Sequence, residues 1–166
     1  MRKLKILSML LFGLSLNGCA QNKTTETQPL SRNIEKYPQA KTAAYWKQVL
    51  SSQAYDIMVN SGTETPYQNP FWNNHKKGIY VSAATGKPLF SSETKFESGT
   101  GWPSFFSPID PKAIKIIRDN SAGMVRDEVV EASTGLHLGH VFDDGPKPTG
   151  QRYCMNSYAL KFIPSK

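Results

Sequence analysis

The stretch Ile114-Lys115-Ile116-Ile117-Arg118-Asp119-Asn120-Ser121-Ala122-Gly123-Met124-Val125-Arg126-Asp127-Glu128-Val129-Val130 decides the fold class. β-Branched residues crowd its two ends, Ile114 to Arg118 and Met124 to Val130, whereas Asp119 to Gly123 is built from residues that favour turns. Two strands joined by a hairpin loop are predicted. Other short apolar runs follow the same rule: Ile79 to Val81, Leu89 to Phe90, Leu138 to Phe142 and Tyr153 to Ile163, with Gly86-Lys87-Pro88 and Asp144-Gly145-Pro146 as further turns. Upstream, a helix is predicted from Thr42, with Ala44, Tyr45 and Val49 at partly amphipathic spacing and Trp46 and Leu50 as an i,i+4 pair. Ser51 or Ser52 caps a second short helix ending near Met58. No internal repeat is visible. The fold class is therefore mainly β (α+β), with one or two small antiparallel sheets and short N-terminal helices packed outside them.

A chain of 166 residues suffices for one compact domain. Its 20 Lys and Arg against 13 Asp and Glu give a net charge of +7. Without Arg2, Lys3 and Lys5 the balance is 17 against 13, or +4, spread along the chain with no basic block. That argues against a dedicated nucleic-acid partner. Residues 1–18 read as a signal peptide: a basic start, the apolar run Ile6 to Leu16, then a small residue before Cys19. Eleven residues are too few to cross a bilayer as a helix. The ending Leu16-Asn17-Gly18-Cys19 resembles the bacterial lipoprotein cleavage box, which implies lipidation of Cys19 and a membrane-anchored protein of the cell envelope. An ordinary signal peptide or an uncleaved anchor is the alternative. Ala20 after it implies the outer membrane, facing the periplasm, in a diderm host. Residues 19–40 are polar, contain Pro29 and Pro38, and make a flexible tether with a reach of roughly 25 Å. Residues 41–166 are the folded domain.

Cys154 is the only thiol outside the leader, and Arg152, Cys154 and Asn156 are two apart, so a β-strand points them to one face. A cysteine attacks as thiolate, and a neighbouring Arg or protonated His lowers its pKa. Arg152, His137 and His140 are the candidates. A small core hydrophobe is the competing fate. His137 and His140 are three apart, which on an ideal strand puts them on opposite faces, although Gly139 permits a bulge that re-aims one of them. They fit a catalytic pair, two structural histidines, or a metal pair completed by Asp143, Asp144 or Cys154. The segment Gly99-Thr100-Gly101-Trp102-Pro103-Ser104-Phe105-Phe106 offers aromatic faces from a loop: Trp102 suits a methyl or thioether group, while Phe105 and Phe106 suit the core. His75, beside Lys76 and Lys77, reads as solvated.

The stretches Ile79-Tyr80-Val81, Gly86-Lys87-Pro88-Leu89-Phe90, Ser98 to Phe105, His137 to Phe142 and Arg152 to Ser157 together resemble the B-type peptide-methionine sulfoxide reductases, from about Thr42 to Pro164 and in the family's order. The resemblance implies two small antiparallel sheets in a β-roll or β-tent arrangement. It further implies reduction of the R epimer of methionine sulfoxide in oxidised proteins or peptides. Carried over by position, Cys154 is the nucleophile that ends as a sulfenic acid. His137, His140 and Asn156 bind and protonate the sulfoxide oxygen, Arg152 holds the thiolate, and Trp102 packs on the substrate methyl. Asp143 or Asp144 is expected to orient a histidine. Many members hold zinc with two CxxC pairs; here those positions are Ser82, Thr85, Glu131 and Thr134, so no zinc or other cofactor is expected. Many also carry a resolving cysteine where this chain has Thr100. An external thioredoxin-like thiol is therefore the expected reductant, and a monomer the expected state. Two other classes stay open on the residues alone: a cysteine hydrolase using Cys154 with a histidine, and a module that binds oxidised protein without turning it over.

Overall fold

Side-chain caps start both helices. In the computed structural model, which describes residues 36–166, the Thr42 hydroxyl accepts from Tyr45 N–H and opens α1, Ala43–Val49, and the Ser51 hydroxyl accepts from Ala54 N–H and opens α2, Ser52–Met58. The leader and most of the tether, Cys19 included, lie outside the described residues. α1 buries Trp46 alone and leaves Tyr45 and Val49 exposed, so the amphipathic face expected from Ala44, Tyr45 and Val49 is corrected: one indole outweighs them. α2 buries Ala54, Ile57 and Met58.

Nine strands follow: β1 Gly78–Ser82, β2 Pro88–Ser91, β3 Lys95–Phe96, β4 Ser104–Phe105, β5 Ile114–Asp119, β6 Arg126–Glu131, β7 His137–Phe142, β8 Arg152–Met155 and β9 Leu160–Pro164. They make two antiparallel sheets, β2-β1-β9 and β3-β4-β8-β7-β6-β5. The hairpin that decides the fold class is the β5–β6 pair, Ile114↔Glu131 through Asp119↔Arg126. Met124 and Val125 belong to its exposed connection rather than to the strand. The predicted run Tyr153 to Ile163 splits in two, because a 3₁₀ turn at Ser157–Ala159 carries the chain from one sheet to the other. The core lies around Tyr80, Leu89, Phe90, Phe105, Leu136, Leu138 and Met155, all without exposed surface. Phe105 stacks on Phe90, so it is a core residue as its composition suggested. Each such side chain contributes about 1.5–3 kcal/mol on burial. α2 packs on β7 and on the Ser157–Ala159 turn, outside the sheets, and thus braces the strand that carries both central histidines.

Candidate active site

Cys154 sits in the middle of the larger sheet, paired with Ser104 of β4 on one side and His140 of β7 on the other. Directly opposed residues share a face, so thiol, hydroxyl and imidazole point the same way. The β6–β7 register explains how His137 joins them: Val129 pairs with Gly139 but Val130 pairs with His137, which leaves Leu138 as one extra residue on β7. That bulge cancels the odd spacing and brings the two imidazole rings to 5.3 Å between centroids. Gly139 is required beside it, since a Cβ there would stand 2.1 Å from the Cys154 carbonyl oxygen. The strand before the thiol can approach only because that side chain is missing.

A cavity of about 150 Å³ opens over this face, walled by Cys154, His140, Asn156, Trp102, Arg126 and Phe142. Trp102 is held by its indole N–H donating to the Glu64 carbonyl, 3.2 Å. Glu64 ties the two sides of the cavity together: its backbone N–H donates to the Asn156 side-chain oxygen, 3.3 Å, and its carboxylate accepts from the N–H groups of Ser157 and Tyr158 at 2.6 and 3.0 Å. Burial pushes the Glu64 carboxyl up from its ordinary value, against the lowering effect of those bonds. His137 is buried behind the cavity wall, with Nδ1 2.5 Å from Glu128 and Nε2 3.4 Å from the Asn156 amide nitrogen. If that amide donates, Nε2 accepts, and the proton of the neutral ring lies at Nδ1, toward Glu128.

Burial pushes the Cys154 thiol up; the Arg152 charge and hydrogen bonds from Thr100, Ser104 and Arg152 pull it back only in part. Of the neighbours expected to ionise the thiol, Arg152 pulls in that direction, but in the substrate-free site desolvation is the larger effect. Arg152 itself stands 4.4 Å over the Phe142 ring and grips Asp144 through two bonds of 2.8 and 2.9 Å. Asp143 bonds Gln151, so neither Asp143 nor Asp144 orients a histidine. That work falls to Glu128 for His137 and to Asp119 for His140. Sequence reasoning missed Glu64, Asp119, Arg126 and Glu128. For Asp119 and Arg126 a signal was available, because counting inward along the hairpin pairs them. His75 is exposed, bonds Asn73 and lies near Glu97, and does not line this cavity.

The SelR domain model matches residues 50–164. The peptide methionine sulfoxide reductase MsrB of Agrobacterium fabrum is 49% identical over 124 residues, 75% of this chain and 92% of the relative. The chain belongs to the MsrB family. The MsrB of Methanosarcina mazei is 54% identical over 117 residues, 70% of this chain and 84% of the relative, and that of Leptospira interrogans 50% over 117 residues, 70% and 89%. Against this MsrB background the four positions expected to stand in for zinc-binding cysteines do converge. The fully buried Glu131 carboxylate accepts from Ser82, Ser133 and Thr134 hydroxyls at 2.9, 2.9 and 3.1 Å and from Thr85 at 2.5 Å. One carboxylate surrounded by hydroxyl donors does not fit a zinc ion, which asks for thiolates and imidazoles. Thr100, at the resolving-cysteine position of many MsrB proteins, places its hydroxyl 3.9 Å from the Cys154 sulfur and bonds Ser98, which bonds Ser104. No second thiol is near Cys154 among the described residues.

Proposed function

We propose that this chain reduces the R epimer of methionine sulfoxide in proteins to methionine, with Cys154 as the attacking sulfur. The observation that carries the reading is the placement of a thiol at the floor of a cavity between the Trp102 ring and the cross-strand His140, in a chain of the MsrB family. The substrate methyl rests on Trp102, and attraction between sulfur and the ring adds about 0.3–1.5 kcal/mol. The cysteine sulfur attacks the sulfoxide sulfur; the oxygen, protonated through His140 with His137 and Asn156 behind it, ends on Cys154 as a sulfenic acid, and methionine leaves. Substrate supplies the oxidising equivalent, and the thiol is oxidised by two electrons. Arg152 offsets part of the desolvation that opposes the thiolate. An external thiol, such as that of a thioredoxin-like protein, then attacks the sulfenic acid, water departs, and a second thiol releases Cys154 from the mixed disulfide. Thr100 beside the sulfur, in place of a thiol, supports this direct route.

We further propose that lipid on Cys19 holds this activity at the cell envelope, with oxidised envelope proteins as substrates; the signal-like residues 1–18 and the Leu16-Asn17-Gly18-Cys19 ending support it. A single turnover without reductant tests the chemistry. One methionine per chain is expected, with one added oxygen on Cys154, trapped by a sulfenic-acid reagent and located by mass spectrometry. A Cys19–Cys154 disulfide as the main product contradicts the direct route.

A further inference from the structure

Asp119 and Arg126 face each other across the β5–β6 hairpin; Asp119 bonds His140, and Arg126 has no part in the chemistry above. Asp119 Oδ2 lies 2.9 Å from His140 Nε2 and 2.9 Å from an Arg126 guanidinium nitrogen. Arg126 also lines the cavity beside Cys154. From this geometry we infer that Asp119 and Arg126 are a positioning pair: they fix which nitrogen of His140 carries its proton and how firmly the ring holds a second one. The inference rests on the reductase reading, in which His140 supplies a proton to the sulfoxide oxygen.

A guanidinium only donates, and a carboxylate only accepts. Burial would raise the Asp119 carboxyl, yet hydrogen bonds from Ser121 and His140 and the Arg126 charge outweigh it and hold it well below the usual range. The Asp119 oxygen is thus an anionic acceptor, and Nε2 of His140 must keep its hydrogen. Only Nδ1 remains to deal with substrate, as a bare acceptor in the neutral ring and a donor in the imidazolium. Proton transfer from Nδ1–H to the sulfoxide oxygen returns the ring to its Nε2–H form without moving Asp119. Asp119 favours the imidazolium, Arg126 opposes it, and the other groups facing the ring are Glu128 of β6, His137 of β7 and Cys154 of β8. Burial first, with the Arg126 charge adding to it, outweighs Asp119 and holds His140 below its ordinary value.

The test is an NMR titration of the His140 ring in the full chain, with the tautomer read from long-range proton–nitrogen couplings. Asp119→Asn should lower the ring's pKa and release the fixed tautomer; Arg126→Gln should raise it, and Arg126→Lys should bring it back toward the unaltered value. The alkaline limb of kcat should follow in each case, and Asp119→Asn should reduce kcat at neutral pH by about tenfold or more. A His140 pKa and tautomer unmoved in both Asp119→Asn and Arg126→Gln would overturn the role of the pair, whatever the activity. The titration needs no turnover, so it is separate from the reductase reading, which an unaltered chain unable to reduce methionine sulfoxide would overturn by itself.

Discussion

Cys154→Ser should abolish sulfoxide reduction, lowering turnover by at least about a thousand-fold, while the fold survives. The reaction moves oxygen from one sulfur to another, and a serine oxygen can neither accept it nor pass through a sulfenic acid. The hydroxyl is also ionised far less readily than a thiol, so even the attack step is lost. Structurally the change is small. Cys154 is partly buried, and the Thr100 and Ser104 hydroxyls beside it can hydrogen-bond a hydroxyl as readily as a thiol. Dithiothreitol-dependent conversion of a sulfoxide peptide and a thermal melt of the same sample separate the two effects. Turnover above about one hundredth of the unaltered chain would show that another group attacks the sulfoxide.

Glu131→Ala should be the most destabilising single change outside the core, at about 3 kcal/mol. Its carboxylate joins Ser82 and Thr85, at the end of β1 and the turn after it, to Ser133 and Thr134 beyond β6, and so pins the smaller sheet to the larger one. Alanine leaves the Ser82 and Thr134 hydroxyls without their acceptor in a place with no exposed surface, loses the bonds from Thr85 and Ser133 at its edge, and opens a void. The melting temperature should fall by roughly 10 °C. Glu131→Gln keeps the volume and one oxygen, so its loss should be smaller, since rotating hydroxyls can still accept from the new amide. The contrary result is a melt for Glu131→Ala within a degree or two of the unaltered chain, with activity intact. The clasp around Glu131 would then carry no weight.

How far the sequence could be read depends on how local each signal was. The hairpin of β5 and β6 was legible because β-branched residues flank a turn-forming loop, and the two-residue spacing of Arg152 and Cys154 because a strand has period two; Asn156 lies just past the end of β8, at the same cavity as Cys154. The meeting of His137 and His140 was only permitted by the sequence. It depends on one extra residue, Leu138, whose place in the register is fixed by pairing with β6. Asp119 sits in sequence among turn-forming residues, and Arg126 and Glu128 carry no local signal of function; only the hairpin register and the burial of Glu128 reveal that they support the histidines. The exposed Tyr45 and Val49 show the opposite error. A helix of seven residues is anchored by one large ring, and spacing rules built for longer helices mislead there. Ionisation of the thiol was the least legible of all, because desolvation is a property of the assembled cavity and outweighs the Arg152 charge visible in the sequence.

The most direct test is dithiothreitol-dependent reduction of the separated R and S epimers of methionine sulfoxide in a peptide. With the methyl on Trp102 and the oxygen toward His140 as proposed, a reductase of this family is expected to convert the R epimer steadily and the S epimer no faster than background. Equal reduction of both, or reduction of the S epimer alone, would contradict it.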